Sequence, residues 1–331
     1  MPRVIIAMRD EALAAQLLDD GARARLATVA DIVPGVMSDA SDPRWDADLA
    51  ECDVLLTGWG GPSLDERLLA RAPKLSAVAH AAGSVKRIVT DASWKRGVRV
   101  SSAADANGIP VAEYALAMIL LAGKRVFDSQ DFMRRERSLR WAPDGSFGNH
   151  RATVGIVGAS RIGKRVLELL RSFDHDVLLS DPTLSPDDAA ALGATLVPLD
   201  DLLSRSSVVS LHVPLLESTI GMIGAAQLAL LPPGATLINT ARGALVDTGA
   251  LVAELGTRRI RAVVDVTDPE PLPDDHPLWT TPGVMLTPHV AGALGNELTR
   301  LGSHAVDEIV RLLTAGSLAT EVHATQVAEI A

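Results

Sequence analysis

Short apolar runs alternate with longer amphipathic segments along most of the chain. In the first hundred residues the runs VIIAM, DVLLTG, LSAVAH and VRVSS are separated by Ala- and Leu-rich stretches. A second series begins at Thr153 and contains six runs: TVGIVG, DVLLSD, SVVSLHV, ATLINT, RAVVDV and VMLTPHV. Continuous apolar runs of this length are typical of strands buried on both faces of a parallel sheet. The pattern predicts an α/β fold with two doubly wound, Rossmann-like parallel sheets.

Three segments between or after these runs carry clear helix signals. A helix is predicted near residues 110–125, since Pro110 suits a first turn, Glu113 follows, and an apolar series continues to Leu121. Its very apolar face predicts burial in a domain junction or a subunit interface. Residues 127–150 are polar and predict a surface helix and a loop, and a last helix is predicted over about 296–313.

The bulk properties narrow the functional class. A length of 331 residues allows two domains, and the net charge of -10 argues against nucleic-acid and anionic-membrane partners. The longest apolar stretch contains Glu113 and is short for a bilayer span, and PRVIIAM at the start predicts a strand rather than a leader. Cys52 is the single cysteine, which excludes an internal disulfide and a cysteine metal cluster. We therefore expect a cytoplasmic protein without a metal, nucleic-acid or membrane partner.

A glycine-containing turn follows the first run of the second series. Aligned to G-x-G-x-x-G, the stretch TVGIVGASRIGKRVLELL has Gly158, Ser160 and Gly163, so the middle glycine is replaced. In dinucleotide-binding folds these positions allow a tight turn, close approach to the pyrophosphate and close helix packing. An imperfect fingerprint is also compatible with a plain strand-to-helix turn.

Asp181 strengthens the cofactor interpretation. It ends the next run, DVLLSD, where a carboxylate can bind the ribose hydroxyls of a dinucleotide. A carboxylate repels a 2'-phosphate, and no Arg or Lys follows in PTLSPDD, so NAD is favoured over NADP. The alternative is a turn or helix-capping Asp before Pro182.

Three polar residues in the second half of the chain lie near the ends of apolar runs. Arg242 follows ATLIN, Glu270 lies among prolines after RAVVDV, and His289 lies in VMLTPHV. Taken singly, each type is more often a surface or capping group. Because parallel strands place their carboxyl ends at one edge of the sheet, we expect these three side chains to converge.

The three groups together suit the reduction of a 2-keto acid by hydride transfer. An arginine presents a planar fork of donors that can hold a carboxylate and polarise the neighbouring carbonyl. A histidine can exchange a proton with the carbonyl oxygen near neutral pH. A carboxylate beside the imidazole would favour its protonated form and fix its tautomer, and Glu270 is the candidate.

The chain resembles a known family along nearly its whole length. The motifs GIVGASRIG, VSLHVPLLEST, LINTARGALVD, DVTDPEPLP, HPLW and LTPHVAG, with LSAVAHAAGSVKRIV and PVAEYAL before them, are similar to those of the D-isomer-specific 2-hydroxyacid dehydrogenases. The resemblance implies a discontinuous substrate-binding domain, residues 1–102 plus 290–331, and an NAD-binding domain, residues 103–289. It also implies a homodimer formed through the helix near 110–125, and closure of the domains about the two crossings is expected to exclude water.

The resemblance also implies individual roles. Arg242 would bind the substrate carboxylate and carbonyl, His289 would be the acid/base, and Glu270 would be its partner. Asp265 would contact the nicotinamide carboxamide. Further cofactor-binding residues, some lining the cleft and some under the nicotinamide, would be Gly158, Ser160, Arg161, Ile162, Gly163, Asp181, His212, Val213, Pro214, Thr219, Thr240, Ala241 and Gly292.

One loop departs from the family pattern. The backbone amides of Ala82 and Gly83 would hold the substrate carboxylate, but the usual G-v-D reads Gly-Ser-Val here, and Lys86 and Arg87 follow without the usual acid. Thr267 also stands where an aromatic is common. A small D-2-hydroxy or 2-keto acid, similar to glyoxylate or hydroxypyruvate, is expected, and its identity stays open.

Two other functions remain compatible with the sequence. A phosphoglycerate dehydrogenase-like enzyme is possible because His80, Lys86, Arg87 or Lys124 could meet a phosphate. An NAD-sensing, corepressor-like binding protein shares the fold and the same three polar residues. A formate dehydrogenase is disfavoured, since that group carries Gln at the position of Glu270.

Overall fold

The computed structural model describes residues 1–142 and 147–327. The chain forms two compact units, unit 1 with Met1–Gly108 and Ala293–Ala331, and unit 2 with Ile109–Gly292. The chain thus passes between the units after residues 108 and 292. The sequence predicted these crossings near residues 102 and 290. Part of the expected surface loop, residues 143–146, and the last residues of the C-terminal segment, 328–331, lie outside the described residues.

Most strands are short and almost wholly buried. Along the described chain they are β1 (Arg3–Ala7), β2 (Asp31–Ile32), β3 (Val54–Thr57), β4 (Ala77–His80), β5 (Arg99–Ser102), β6 (Thr153–Val157), β7 (Asp176–Ser180), β8 (Thr195–Leu196), β9 (Val208–Leu211), β10 (Thr236–Asn239), β11 (Arg261–Val264), β12 (Val284–Leu286) and β13 (Glu321–Val322). The ten runs quoted above correspond to ten of these strands. The two-residue strands β2, β8 and β13 were missed because so few residues leave no pattern.

The helices alternate with the strands. They are α1 (Glu11–Leu17), α2 (Asp20–Ala27), α3 (Asp46–Ala50), α4 (Glu66–Arg71), α5 (Asp91–Lys95), α6 (Ala104–Gly123), α7 (Val126–Glu136), α8 (Arg161–Leu170), α9 (Pro186–Ala191), α10 (Leu199–Arg205), α11 (Ala225–Leu230), α12 (Thr248–Gly256) and α13 (Leu298–Ala315). Short 3₁₀ helices occupy Pro43–Trp45, Glu217–Thr219, Gly243–Leu245, Pro277–Trp279, Gly295–Glu297 and Ala324–Gln326.

Unit 1 contains a six-stranded sheet in the order β2, β1, β3, β4, β5, β13. The first five strands are parallel, and β13 pairs antiparallel with β5. Helices α1, α2 and α13 contribute to the apolar cluster on one face, and α3 and α4 contribute to a second cluster. The sheet is therefore covered by helices on both faces, as in doubly wound folds.

Unit 2 contains a seven-stranded parallel sheet in the order β8, β7, β6, β9, β10, β11, β12. The order reverses between β6 and β9, and two apolar clusters again cover the sheet. In such sheets, ligands bind beyond the carboxyl ends of the strands, next to this switch point. The loops that follow β6, β10, β11 and β12 carry the glycine turn and the three polar residues.

Helix α6 differs from the sequence-based expectation. It begins at Ala104, whose amide donates to Ser102 Oγ (3.1 Å), and it continues through Pro110. Pro110 lacks an N–H, so it signals a helix start from sequence. Here the buried residues Ala112 and Ile119 help to hold the later turns in the core of unit 2.

The same helix is long and apolar enough, by length and composition, to cross a membrane. The sequence-based statement that its apolar stretch is too short therefore does not hold for the 20-residue helix. Half of the apolar 18-residue stretch of this helix is buried inside the protein. Such burial is also typical of the core helix of a globular domain.

Candidate active site

The turn between β6 and α8 depends on two glycines. Gly158 has φ +93°, and a Cβ there would lie 2.6 Å from Val213 Cγ1 and 2.9 Å from the Val213 amide nitrogen. A Cβ on Gly163 would collide with the carbonyl oxygen of Gly158. The first glycine thus permits the turn, and the last permits α8 to pack tightly against it.

Ser160 replaces the middle glycine of the fingerprint and caps the helix. It is the N-cap of α8, and its Oγ accepts a hydrogen bond from the Gly163 amide (3.3 Å). A serine at an N-cap satisfies one of the free amides of the first turn. The hydroxyl proton remains available to donate, and the N-terminal end of α8 favours a negative group such as a phosphate.

Asp181 follows β7, where the sequence places it, and its carboxylate is engaged locally. Oδ2 accepts from the Ala159 amide (2.7 Å), and Oδ1 accepts from the amide and hydroxyl of Thr183 (2.8 and 2.6 Å). Burial alone would raise the pKa of Asp181. The hydrogen bonds from Thr183 and Ala159 lower the pKa by more than burial raises it, so the pKa lies below its ordinary value. The turn conformation weighed from sequence is therefore present, and it holds an ionised carboxylate beside the glycine turn.

Arg242 lies in a turn after β10 that is clamped by Asn239. The Asn239 side chain donates to the Arg242 carbonyl (2.8 Å) and accepts from the Ala241 amide (3.1 Å). A Cβ on Gly243 would collide with the backbone of Thr267, so glycine allows this turn to pack against the loop after β11. The two loops carrying Arg242 and Glu270 are thereby held against each other.

The Arg242 guanidinium is partly buried and makes few hydrogen bonds within the protein. Among the described residues it makes one hydrogen bond, from Nη1 to the Ala241 carbonyl (2.6 Å). Burial lowers the pKa of Arg242, and the negative charge of Glu270 opposes this effect. An arginine stays charged under any ordinary condition, so the site presents a positive fork with donors left for a ligand.

Glu270 and His289 form a direct pair. His289 Nδ1 lies 2.7 Å from Glu270 Oε1, and the two side chains are 52% and 44% exposed. Because Nδ1 faces a carboxylate, it carries the proton, and the opposite ring nitrogen, Nε2, is left to exchange one. Glu270 thus contacts His289 directly, and its negative charge acts on the Arg242 guanidinium.

Asp265 positions the loop that carries His289. Its Oδ1 accepts from the Thr287 hydroxyl (2.5 Å) and the Val290 amide (2.8 Å), and its Oδ2 accepts from the Ala291 amide (2.9 Å). The Asp265 carbonyl accepts from the His289 amide (2.9 Å). His289 has φ +56°, an uncommon value outside glycine, and this network holds it there.

Asp265 is 2% exposed, so its carboxylate mainly serves the chain itself. The contact with a nicotinamide carboxamide that the resemblance implies stays a prediction. Sequence reasoning missed the supporting role, and it also missed Asn239 and Thr287. The hydroxyl of Thr287 bridges Asp265 and the Tyr114 hydroxyl (2.9 Å). A polar residue at the end of an apolar run was the available signal for all of them.

Thr240 provides a test of whether a dinucleotide fits. It is 6% exposed, and its Oγ1 has no hydrogen-bond partner among the described residues. A buried unpaired hydroxyl is costly unless a ligand satisfies it. With the Gly158 turn and the N-terminal end of α8, this orphaned hydroxyl fits an NAD site at the carboxyl edge of the unit 2 sheet.

The other predicted cofactor residues of unit 2 lie in the loops that follow its strands, in the first turn of α8 or in the 3₁₀ helix Glu217–Thr219. His212 follows β9, but its ring is buried, and its Nε2 lies 2.9 Å from Ser210 Oγ. Burial lowers the pKa of His212 to about 4, so the ring is neutral. Thr219 Oγ1 donates to the Pro214 carbonyl (2.8 Å), which holds the loop after β9. Partly exposed positions are Ile162, Val213, Pro214, Ala241 and Gly292, and Arg161 is exposed.

Ala82 and Gly83 lie in unit 1, in the loop after β4. Their carbonyls accept hydrogen bonds from the Ser102 hydroxyl (3.2 and 2.5 Å). Their amides donate to no acceptor in the described chain. The geometry leaves both amides available, as the sequence-based role in carboxylate binding requires.

Comparison with known proteins agrees with these features. A family model described as D-isomer specific 2-hydroxyacid dehydrogenase, NAD binding domain, matches residues 116–291. The D-3-phosphoglycerate dehydrogenase of Mycobacterium tuberculosis is 37% identical over 273 residues, which are 82% of this chain and 51% of the relative. The chain thus spans about half the length of the phosphoglycerate dehydrogenases that it matches.

Two further relatives match over most of their own length. The glyoxylate reductase of Korarchaeum cryptofilum is 34% identical over 264 residues, covering 78% of this chain and 79% of the relative. The NAD-complexed D-isomer specific 2-hydroxyacid dehydrogenase of Lactobacillus delbrueckii ssp. bulgaricus has a TM-score of 0.82 at 22% identity, covering 97% and 100% of the two chains, and so shares the fold. The family resemblance and the α/β fold predicted from the sequence are confirmed, and this chain belongs to the D-isomer specific 2-hydroxyacid dehydrogenases, with an NAD-binding domain in unit 2.

Proposed function

We propose that the protein is an NAD-dependent oxidoreductase that interconverts a small D-2-hydroxy acid and its 2-keto acid. The observation that carries this proposal is the 2.7 Å contact between Glu270 and His289 beside the charged Arg242. A proton donor with its own carboxylate partner and a fixed guanidinium are the groups that reduction of a 2-keto acid requires.

Arg242 anchors the substrate in this scheme. Its free N–H groups bind the carboxylate and the neighbouring carbonyl oxygen, so the guanidinium both orients the substrate and draws charge onto that oxygen. The clamp from Asn239 supports this role because it fixes the turn before the substrate arrives. Little reorganisation is then needed when negative charge develops.

His289 exchanges the proton. Nε2 of the imidazolium gives a proton to the carbonyl oxygen during reduction and takes it back during oxidation. Glu270 stabilises the charged ring through Nδ1 and keeps Nε2 directed away from itself. The hydrogen bonds from the Asp265 segment to residues 287–291 support a fixed ring position.

Residues of unit 2 would hold NAD. The glycine turn and the first turn of α8, with the Ser160 hydroxyl, would bind the pyrophosphate, and Asp181 would bind the ribose. Thr240 offers its unpaired hydroxyl nearby. When bound, the nicotinamide supplies or accepts the hydride, and the residues described above handle the proton and the carboxylate.

Glyoxylate and hydroxypyruvate are the substrates we propose first. A relative named glyoxylate reductase matches over most of its length, whereas the relatives named D-3-phosphoglycerate dehydrogenase are matched over about half. The 37% identity to the latter keeps a phosphorylated substrate as the second candidate. Lys86 and Arg87 in the loop after β4 are the cations through which unit 1 would meet a phosphate.

Oxidation of NADH in the presence of a panel of 2-keto acids tests this proposal. The panel contains glyoxylate, hydroxypyruvate, phosphohydroxypyruvate, pyruvate and longer 2-keto acids. We expect turnover with the small unphosphorylated members and a lower rate with NADPH, because Asp181 disfavours a 2'-phosphate. A clear preference for phosphohydroxypyruvate would support the second candidate. Tight NADH binding without turnover on any member would contradict an enzyme and favour an NAD sensor.

We further propose a homodimer in the cytoplasm, with α6 at the subunit interface. The partly exposed Leu116, Leu120 and Leu121 on that helix support a partner there. Light scattering during size-exclusion chromatography should give twice the chain mass of 34.8 kDa. A single-chain mass at assay concentrations would contradict the dimer.

A further inference from the structure

Three polar side chains form one row across the strand ends of the unit 1 sheet. Thr57, His80 and Ser102 are the last residues of β3, β4 and β5, and the register pairs Thr57 with His80 and His80 with Ser102. Neighbours in register point to the same face of a sheet. All three are buried, between 0% and 4% exposed, so each needs an internal hydrogen-bond partner.

His80 bridges the end of β3 and the loop that follows β4. Its Nδ1 lies 2.9 Å from Thr57 Oγ1, and the ring makes a second hydrogen bond to the backbone of Ser84. Burial lowers the pKa of His80 to about 4, although the bond to Ser84 acts in the opposite direction. A neutral ring has one donor and one acceptor, so it donates to the Ser84 carbonyl and accepts from the Thr57 hydroxyl.

Ser102 and its neighbour hold the same loop from the other side. Ser102 Oγ lies 2.5 Å from the Gly83 carbonyl oxygen and 3.2 Å from that of Ala82. The Ala103 amide also donates to the Ala82 carbonyl (3.1 Å). Three consecutive carbonyls, those of residues 82, 83 and 84, are therefore tied back to the body of unit 1.

The carbonyl anchoring sets the direction of the following amides. In a trans peptide the N–H of each residue points opposite to the preceding carbonyl. The amides of Gly83, Ser84 and Val85 consequently point away from the groups that hold the carbonyls, and none of them donates to an acceptor in the described chain. Unpaired amides in a buried segment are costly, and successive free amides form an anion-binding concavity.

We propose that His80 and Ser102 are positioning residues that hold the loop of residues 82–85 so that its free amides form a preformed site for the substrate carboxylate. This proposal rests on the proposed function and extends it, because it assigns the affinity of the loop for the carboxylate to two side chains that never touch the substrate. The site uses peptide dipoles rather than a buried charge, so a neutral imidazole is the suitable support.

The variant His80→Leu tests the proposal, with His80→Gln as the conservative comparison. Leucine removes both hydrogen bonds of the ring at similar volume, whereas the glutamine amide can donate to Ser84 and accept from Thr57. We expect His80→Leu to raise KM for glyoxylate at least about tenfold, since a free loop loses the preorganised geometry. His80→Gln should stay within about threefold of the wild type, and NADH affinity by fluorescence titration should be unchanged in both.

Ser102→Ala is a second test of the positioning role if His80→Leu folds poorly. It deletes only one oxygen and should also raise KM with little change in kcat. Glu308→Gln is the matched control, since Glu308 is a buried side chain of unit 1 whose carboxylate accepts hydrogen bonds from the Ala319 and Thr320 amides and not from the loop of residues 82–85. It should lower the melting temperature without raising KM. An unchanged KM in both His80→Leu and Ser102→Ala, or an equal rise in Glu308→Gln, would overturn the proposal.

Failure of the proposed function can be separated from failure of this inference. If the wild type reduces no 2-keto acid, sodium oxamate serves as the carboxylate probe in an amide NMR titration. Shifts of the residue 83–85 amides that disappear in His80→Leu would support the positioning role without any turnover. An absence of oxamate-induced shifts at these amides would overturn it.

Discussion

The carboxyl edges of the two sheets are built from different kinds of polar group. In unit 2 the loops present Arg242, Glu270 and His289, which are charged or titratable, and the last two are about half exposed. In unit 1 the strand ends carry His80 and Ser102, which are buried, neutral and used to hold backbone. The exposed groups of unit 2 can exchange a proton with a ligand, whereas the buried groups of unit 1 hold the backbone in place, so the same edge of the fold serves two purposes.

The histidines show the difference most clearly. His289 is 52% exposed and faces a carboxylate. His80 and His212 are 4% and 3% exposed and face hydroxyl groups, and burial lowers the pKa of each to about 4. All three lie at or just beyond the carboxyl end of a parallel strand, so the environment of the ring decides which one can act as an acid.

Replacing His289 should have the largest effect. His289→Asn keeps a polar side chain but removes the proton donor, so kcat should fall by about 10²- to 10⁴-fold. NADH affinity should be nearly unchanged because the variant leaves the glycine turn intact. Steady-state NADH oxidation and fluorescence titration measure the two quantities. Wild-type turnover in His289→Asn would remove the distinction between the two edges.

Replacing Arg242 should be next in size. Arg242→Gln keeps some hydrogen bonding but loses the charge and the planar fork, so kcat/KM should fall about 100-fold, with KM raised and kcat lowered together. A change in KM alone would mean that the guanidinium only binds the carboxylate and does not polarise the carbonyl. Arg242→Lys serves as the comparison and should remain poor, since lysine lacks the fork.

Acid should weaken the fold through the buried histidines. Their pKa is about 4 in the folded protein and about 6.5 when unfolded, so the unfolded chain binds more protons as the pH falls from 6.5 toward 4. The free energy of unfolding should therefore drop, by about 2 kcal/mol for each histidine between pH 8 and pH 5. Urea unfolding of His80→Gln should show about 2 kcal/mol less loss than wild type. An equal loss would show that His80 is not neutral in the fold.

Ser160 should have the smallest effect. Ser160→Ala removes the N-cap of α8 and should lower the free energy of unfolding by about 1 kcal/mol, while Ser160→Gly should cost only a few tenths. Ser160→Gly also restores the usual glycine, so NADH affinity should be kept. Urea unfolding measures the free energy of unfolding, and fluorescence titration measures the NADH affinity. A larger loss in Ser160→Gly than in Ser160→Ala would contradict the capping role.

The sequence was sufficient to predict the main architecture and the contact of Glu270 with His289. Long apolar runs identify strands that are buried on both faces, and a parallel sheet then requires their carboxyl ends to meet. That requirement predicts that Arg242, Glu270 and His289 lie at one edge of the sheet. The sequence-based start of α6 was wrong. Pro110 signals a helix start, but the helix begins at Ala104, whose amide donates to the Ser102 hydroxyl oxygen.

The supporting groups could not be predicted because they depend on strand register. The row of Thr57, His80 and Ser102 exists only because β3, β4 and β5 align these residues. Likewise, the hydrogen bonds that Asp265 accepts from the Val290 and Ala291 amides arise from its position between β11 and the loop after β12. Spacing along the chain contains no information on such contacts across strands.

A double-mutant cycle of Glu270→Gln and His289→Asn tests the central claim most directly. If the carboxylate acts through the imidazole, the double variant should be no slower than His289→Asn alone, because residues that act as a unit are not additive. The logarithms of kcat for wild type, both single variants and the double variant give the coupling. Additive losses would contradict the account, since the two groups would then contribute independently despite their 2.7 Å contact.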